Sequence, residues 1–582
     1  MAGEITVVCI SIGPVQDFIS AARRTRDFAF GSFLLVHLAK QAAQLVSAYA
    51  QPLIFPATPE QDAPNKIVFV YAGQITQLPG HMAQLQQTLL AELRREIDRV
   101  CATANLTGES LARAQAQVAD VLEFYWAYAT ASSYKEAYLQ ADHTLSARKS
   151  LRDFMPFPMG SGLPKSSITG TYESVVPEEL YTPANAKMLR RRFATRSAER
   201  LSGVDLLKRL GRLPGFNDEF PSVAEMAARG ALIRHNLLRV EQSKLVYDPA
   251  FNEAWRNIDS EIEHYVSGNP PTPGRPYSQS SYRECIFEAR LGDEPLSPRE
   301  LENVSHSLRA LHQKFKLKMD KPYYAFLLAD GDRMGAVISR CLDVALGDSR
   351  AHVDFSRALS GFASTVKSIV ADYAGNTVYA GGDDVRAILP VHTAIDCAQA
   401  IQNCFATYIN PFLHAIGMDQ TASVSIGVVI AHHMDPMSDV VDTVRATEKL
   451  AKKQRNSLAV CVSKRSGGDV NITGQWGQFP ERVKQITDQL RNGALPDGYA
   501  YELRDLLHRL QDTHTPRASR DMVMEQIVSS EATRILKRKR QSDGNSVDDR
   551  KIEGLRAQIT GGDEFTKLHE WVNEIIVARE LL

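Results

Sequence analysis

Two short β-rich runs, Asn376–Ala380 and Val385–Leu389, are separated by Gly381-Gly382-Asp383-Asp384, and few arrangements accommodate that pattern. Glycine tolerates the positive φ of a tight turn, so the stretch predicts a β-hairpin with two acids at its tip. Upstream, the apolar run Tyr324–Ala329 reads as a strand that leads into Asp330-Gly331-Asp332, followed by a loop. Phe355, Leu359, Phe362, Val366, Ile369 and Tyr373 then recur at alternating steps of four and three, the buried stripe of one helix. Downstream come a helix from about Ala394, a strand at Ser423–Ala431, a helix at Ser438–Lys453 and a strand at Leu458–Val462. The order is βαββαβ with an extra αβ, that of a ferredoxin-like palm.

The same order recurs more faintly at the start of the chain. Strand Ile5–Ser11 feeds a helix over Val15–Ala50, and Asn65–Gln74 echoes Asn376–Asp383. A helix near Met82–Cys101 and an aromatic strand, Phe124–Tyr128, match the second half of a palm. Such self-similarity signals an internal duplication. Where the second copy has two aspartates the first has Gln74-Ile75, so the first copy is degenerate.

The expected fold class is therefore α+β, two ferredoxin-like palms joined by helical parts. The first palm is placed at 1–150, a helical linker domain at 151–310, the second palm with the acid pair at 311–470, and a helical C-terminal domain at 471–582. The linker domain carries a Gly/Ser/Pro-rich loop at Pro158–Gly170 and a connection at Ser267–Ser281 with four prolines, Pro270, Pro271, Pro273 and Pro276. Polar breaks at Ser466–Asp469 and Ser542–Asp549 interrupt the helical pattern after Gly467.

Composition limits the partners. With 67 Lys+Arg against 68 Asp+Glu in 582 residues there is no global field to draw in nucleic acid or an acidic membrane, so local patches would have to do it. The longest apolar stretches, such as Phe33–Leu38, fall far short of the roughly 20 residues that span a bilayer, and Met1–Ser11 lacks the basic start of a signal peptide. No membrane contact and a cytoplasmic setting are expected. The seven cysteines contain no C-x-x-C pair, which argues for free thiols over a disulfide framework or a thiolate zinc site.

The hairpin acids Asp383 and Asp384, with Asp330 at the end of the adjoining strand, form a hard oxygen donor set of the kind that holds Mg²⁺ or Mn²⁺ together with substrate phosphates. Two such ions activate an attacking hydroxyl and neutralise a leaving pyrophosphate. Successive strand residues point to opposite faces, so both aspartates can serve metals only if the Gly-Gly turn twists the tip. A Gly-Gly-Asp-Asp stretch is also what a plain polar turn requires; the upstream Asp330 and Asp332, in the right order, favour the site. Gly381 and Gly382 would let phosphate approach the backbone, Asp332 is a further candidate nucleotide contact, and Lys452, late in the third palm helix, could reach a triphosphate or simply be solvated. In the first copy, Gly13 and Pro14 lie between strand and helix, where free N–H groups could hold a second nucleotide or where the pair merely starts a helix. The basic runs Arg190-Arg191-Arg192 and Lys537–Arg540 are more often solvated or docking faces than nucleic-acid contacts. His432-His433 with Asp435 fits a strand-end turn better than a metal cluster.

Several motifs, in order, resemble one family: the large polymerase/cyclase-like subunit of type III-B (Cmr) CRISPR RNA-guided effector complexes. They are Ser11–Ile19 with Ala22–Asp27 and Gly31-Ser32, Leu201–Arg209, Phe220-Pro221-Ser222, Asp330–Gly335, Tyr379–Asp384, Ser425–His432 and Lys464–Gly467. The resemblance implies a cytoplasmic, RNA-guided antiviral assembly with crRNA, target RNA, backbone, small and crRNA 5′-end binding subunits as partners. It implies conversion of ATP to cyclic oligoadenylate-type messengers, with Asp383 and Asp384 as the metal-binding pair, Asp330 as the supporting acid and ATP in both palms.

Two departures from the family pattern follow. No histidine precedes an aspartate and the chain opens on the first palm, so an HD nuclease is not expected. The family's zinc-knuckle cysteines are missing from the corresponding loop Gly160–Gly170, which puts a structural zinc in question. A non-catalytic subunit that bridges the crRNA 5′ end and the small subunits is the competing reading; a stand-alone GGDEF-type cyclase is disfavoured by the long helical parts.

Overall fold

The computed structural model describes residues 4–582 except 62–64, 152–161, 197, 269–280, 320, 345–347, 466, 497, 512–529, 532, 536–537 and 539–563. The four linker prolines, the break at 542–549, Gly160, Ser161 and three of the four cations at 537–540 lie outside the described residues.

The first sheet contains β1 (Ile5–Gly13), β2 (Ala50–Phe55), β3 (Lys66–Tyr71) and β4 (Glu123–Ala131) in the order β2-β3-β1-β4, antiparallel throughout. Its helices are α1 (Thr25–Val46), α2 (Leu78–Thr103), α3 (Gly108–Val121) and α4 (Tyr134–Ser150). Along β1, Val8, Ile10 and Ile12 enter one core while Val7 and Cys9 enter another, so the strand is apolar without alternation because both faces are covered. The single helix expected over Val15–Ala50 is divided. Gln16–Ser20 is a short helix of its own, and the Lys208 ammonium donates to the Phe18 and Ala21 carbonyls (2.6 and 2.5 Å), which gives that helix end its hydrogen-bond partners before α1 begins. Ala50, expected to end the helix, instead begins the edge strand β2, which was not foreseen, and neither was α3.

Between the sheets lie α5 (Ala186–Phe193), α6 (Gly203–Leu210), α7 (Val223–Arg234), α8 (Pro249–Ser267) and α9 (Pro298–Lys314), as the helical pattern implies. A small hairpin interrupts them, β5 (Leu238–Glu241) with β6 (Lys244–Tyr247). Its turn residues Gln242 and Ser243 both have positive φ, a conformation that neither residue type advertises.

The second sheet is built from β7 (Tyr323–Gly331), β8 (Asn376–Gly381), β9 (Asp384–Pro390), β10 (Val424–His432), β11 (Ser457–Val462) and β12 (Val470–Gln475), ordered β12-β11-β10-β7-β9-β8. Its helices are α10 (Met334–Val344), where a loop was expected, α11 (Arg350–Asp372), α12 (Ala394–Ala415) and α13 (Met437–Gln454). The order β8-β9-β7-β10 repeats β2-β3-β1-β4, so the duplication is a property of the fold. The sequence echo does not follow that equivalence: Tyr71 ends β3, the inner strand beside β1, whereas Tyr379 lies in β8, the edge strand, although a Cβ on Gly73 or on Gly381 would meet the neighbouring tyrosine hydroxyl in the same way. Residues 470–475, expected to be helical, pair antiparallel with β11; Val470 and Ile472 are buried and Asn471 and Thr473 exposed, the two-residue period of a strand. The C-terminal helices α14 (Gln478–Arg491), α15 (Tyr499–Gln511) and α16 (Glu564–Glu580) follow, with Trp571, Ile575 and Ile576 in the core beneath the second sheet.

The two palms share interior. Phe28 of α1 meets Phe326 of β7 edge to face at 5.8 Å, and the Tyr134 hydroxyl bonds the His352 imidazole at 2.9 Å. No helix among the described residues is long and apolar enough to cross a membrane.

Candidate active site

β7 pairs with β9 so that Ala329 opposes Val385, which sets Asp330, late in β7, beside Asp384 at the start of β9. Gly382, at φ +64°, makes the turn, and the Phe55 ring of β2 comes to 4.0 Å of the position a Cβ on it would take. Gly331 gives the close approach. A Cβ there would be 2.9 Å from both the Asp383 Cβ and its Oδ2, so any side chain would push the acid away. Burial pushes the Asp383 carboxyl up to about 6; the Asp384 charge adds to this, while the N–H groups of Asp383 and Gly331 oppose it. Asp384 is raised as well, again by burial, against the pull of Arg386 and Arg445. Arg386 Nη2 donates to Asp384 Oδ2 at 3.0 Å, and Asp384 Oδ1 is buried without a hydrogen-bond partner.

Asp330 continues the face of Phe326 and Leu328, the face that α13 covers. From that helix Lys452 pairs directly with Asp330, and its Nζ lies 3.4 Å from Glu448 Oε1. Lys452 is 40% exposed, and burial followed by the nearby Arg455 charge lowers its proton affinity. Arg445, Glu448 and Lys452 share one helix face through i, i+3 and i+7 spacing. Gly427 of β10 brings this face close, because a Cβ there would stand 2.5 Å from the Glu448 nitrogen. Glu448 is pushed up to about 7 by burial and then by Asp384, with Lys449 opposing and Asp332 adding.

Asp332 has a different task from the one expected. It is 7% exposed and accepts from Ser425 Oγ (2.8 Å), Ser423 Oγ (2.7 Å) and the Asn456 N–H (2.9 Å). Both oxygens are occupied, so Asp332 ties β7 to the start of β10 and the end of α13 and offers no free oxygen to a nucleotide. Gly13 and Pro14 close β1 in the other sheet, with Glu123 Oε2 2.9 Å from where a Gly13 Cβ would sit; the short helix Gln16–Ser20 that follows packs against α13.

The donor set suits a divalent cation only in part. Among the described residues no group of three His, Cys, Asp or Glu side chains is gathered tightly enough to hold a metal ion, so the trio Asp330, Asp383 and Asp384 is not a closed cage; Asp330 is drawn to Lys452. Magnesium needs no such cage, because it is commonly held by one or two carboxylates together with substrate phosphates and water. The adjacent Asp383 and Asp384, with one buried oxygen lacking a donor, fit that mode.

Other candidates are taken up within the fold. Arg190 pairs with buried Glu294 through two bonds (2.8 and 2.9 Å), Arg192 caps α2 through the Ala104 and Asn105 carbonyls, and Arg191 reaches the Ser267 carbonyl (3.4 Å). His433 accepts from Arg290 Nε (3.1 Å), and burial pushes it down to about 3, as befits a strand-end packing residue. The loop at 162–170 is held by Ser166 Oγ donating to Asp205 Oδ2 (2.6 Å). Glu448, Arg386 and Arg445 were missed in the sequence. A Glu four residues before a Lys was the available signal, and it is common on any helix.

The family model for the Cas10/Cmr2 second palm domain matches residues 323–459, and the model for the N-terminal region of the CRISPR-associated protein Cmr2 matches residues 7–123. The Cmr2 subunit of the CRISPR Cmr system of Pyrococcus furiosus is 25% identical over 341 residues, which is 53% of this chain and 37% of that protein. The chain thus spans little more than a third of that relative. In fold it is similar to a chain of the type III-B Cmr-beta complex in its apo state (TM-score 0.61, 11% identity, 99% of this chain and 82% of that one). A chain of the same kind of complex bound to cognate target RNA gives a TM-score of 0.58 at 13% identity, over 94% and 80%. Both characteristic regions are present in order, with the acid hairpin inside the second, and over these two regions the chain is similar to the Cas10/Cmr2 family.

Proposed function

We propose that the chain is the large subunit of a type III-B RNA-guided effector complex, assembled with crRNA, target RNA and other effector subunits, and that its second palm is a nucleotidyltransferase. The substrate is ATP and the product an oligoadenylate-type second messenger, closed into a ring, for antiviral defence. One observation carries this reading: a half-buried aspartate pair at a glycine turn, with Asp383 pressed against Gly331, and Lys452 of α13 paired with Asp330 beside it. Mg²⁺ or Mn²⁺ held between Asp383, Asp384 and the phosphates would activate the attacking hydroxyl and neutralise the leaving pyrophosphate.

The chain's own residues supply the rest. Gly381 and Gly382 leave the turn open to phosphate, and Lys452 exchanges Asp330 for the triphosphate, which frees the Asp330 carboxylate for the metal side. Gly13 and Pro14 of the first palm hold the second nucleotide near α13. A 3′-hydroxyl bonds to the α-phosphorus as the bond from that phosphorus to the bridging oxygen breaks; pyrophosphate leaves and the hydroxyl proton passes to solvent.

A passive subunit that bridges the crRNA 5′ end and the small subunits is the second reading, favoured by the Asp330–Lys452 pair and the absence of a three-acid group among the described residues. Turnover decides between them. The assembled complex given ATP, Mg²⁺ and matching target RNA should release pyrophosphate and a new adenylate product by mass spectrometry, and Asp383→Ala with Asp384→Ala should abolish it while assembly persists. No product from the unaltered complex, or undiminished product from the variant, leaves the passive role.

A further inference from the structure

Three of the four ends of the two palm sheets carry a feature that keeps a further strand away. β2 has two register shifts and Pro52, β8 has a shift between Thr377 and Tyr379, and β12 exposes Asn471, Thr473 and Gln475. Irregular, proline-bearing or polar edges resist pairing. β4, the fourth end, has none of these. It runs for nine residues in unbroken register with β1, from Glu123 to Ala131, and after Glu123 it holds no charge and no proline. Tyr128 is 42% exposed and stacks on Trp126 with ring centroids 6.1 Å apart, so two aromatic rings lie along one face of the open edge.

The duplication shows what such an edge takes. β4 stands where β10 stands in the second palm, since β2-β3-β1-β4 matches β8-β9-β7-β10. β10 pairs with β7 along nine residues, as β4 does with β1, and its other side is closed by β11, a parallel, uncharged strand that follows α13. In the first palm α4 packs on β4 as α13 packs on β10, yet no strand among the described residues lies beyond β4. The residues that follow α4 in sequence include Pro156 and Pro158, neither with an N–H to give to a ladder.

We propose that β4 is a docking edge on which another subunit of the effector complex lays an extended, uncharged, apolar segment, paired parallel to β4 as β11 is to β10. The proposal rests on the assembly reading above. The backbone N–H and C=O groups that β4 turns away from β1 bind the incoming strand, and Trp126 and Tyr128 select an apolar side chain at the position opposite them.

Amide hydrogen exchange resolved to single residues tests this, on the full chain alone and in the assembled complex. Alone, the β4 amides that face away from β1 should exchange as open backbone does; in the complex they should slow at least a hundredfold, while the amides bonded to β1 stay slow in both. Tyr128→Lys puts a cation on the edge at an exposed position, and it should weaken joining of the complex at least tenfold while the chain melts as the unaltered one does. Leu45→Lys, on α1 and equally exposed, should leave joining intact. Outward β4 amides already slow in the isolated chain at every concentration assign the edge to a segment of the chain itself, and slowing that follows chain concentration, with a dimer in analytical ultracentrifugation, assigns it to a second copy. Either result overturns the proposal, as does a Tyr128→Lys chain that joins as well as the unaltered one, or an equal loss in Leu45→Lys. The exchange comparison uses the unaltered chain, so it decides the matter even where a variant fails to fold. The two readings fail apart: a complex that forms with outward β4 amides still fast ends the docking edge and leaves the assembly standing, whereas a chain that joins no complex ends both.

Discussion

Asp383 and Glu448 carry proton affinities raised to about 6 and about 7, and this has a consequence for stability. A carboxyl whose folded-state value exceeds its unfolded one favours folding at low pH, and that advantage disappears as the pH rises through the folded value. In chelator, the chain should therefore lose stability between about pH 4 and pH 7, in the window these two shifts define. Asp383→Asn should raise the melting temperature at pH 8 by about 2–4 °C and change it little at pH 4.5, which scanning calorimetry at the two values would check. A rise of equal size at both would remove ionisation as the cause. The same scale shows where sequence reasoning stops. Asp330 and Asp332 are separated by one glycine and are chemically identical, yet one faces Lys452 and the other is enclosed by Ser423, Ser425 and Asn456. Those three partners lie 91 to 124 positions away in sequence, so nothing local to the Asp330-Gly331-Asp332 stretch distinguishes the two acids.

Among the elements, α13 matters most to the site because it delivers Lys452 and Glu448 as one rigid face. Gly427→Ala puts a methyl group against the Glu448 backbone, 2.5 Å from its nitrogen and 2.8 Å from its Cα. The expected cost is about 1–3 kcal/mol in a urea melt, since the helix must move outward. Preserved stability would mean that the close approach does not set the helix position. The second palm's strands and helices were legible because their apolar periods are long and uninterrupted. The start of α1 was not, since the lysine that ends the preceding short helix, Lys208, comes from α6 and leaves no trace between Val15 and Ala50. β12 escaped notice because a six-residue strand with two buried positions is too short to outweigh the helical sequence after it.

At the level of the whole molecule, the repeated strand order makes the two palms copies of one unit, of which the second carries the acid pair. The duplication was signalled in the sequence by the echo of Asn65–Gln74 in Asn376–Asp383, but out of register, since it sets β3 against β8 where the fold sets β3 against β9. How the copies are held could not be read there, because both the direct contacts between them and the ties of the first palm to the linker join residues far apart in sequence. Arg209 of α6 bonds Asp27 of α1 (2.8 and 3.1 Å) and Glu199 (2.8 Å), all nearly excluded from solvent. Removing the cation strands two buried acids, so Arg209→Ala should cost about 3–5 kcal/mol by urea unfolding. A loss under 1 kcal/mol would mean that the network does not anchor the first palm to the linker.

The central claim is that the Gly381–Asp384 turn and β7 together bring carboxylates onto a divalent ion that shares its shell with a nucleotide's phosphates. The most direct measurement is a structure of the chain with Mn²⁺ and a non-hydrolysable ATP analogue, the ion located by its anomalous scattering. The account predicts manganese within about 2.3 Å of oxygens from Asp383 and Asp384, in contact with the triphosphate, and Lys452 withdrawn from Asp330. Manganese absent from these oxygens, or a nucleotide bound elsewhere with the Asp330–Lys452 pair intact, would contradict it.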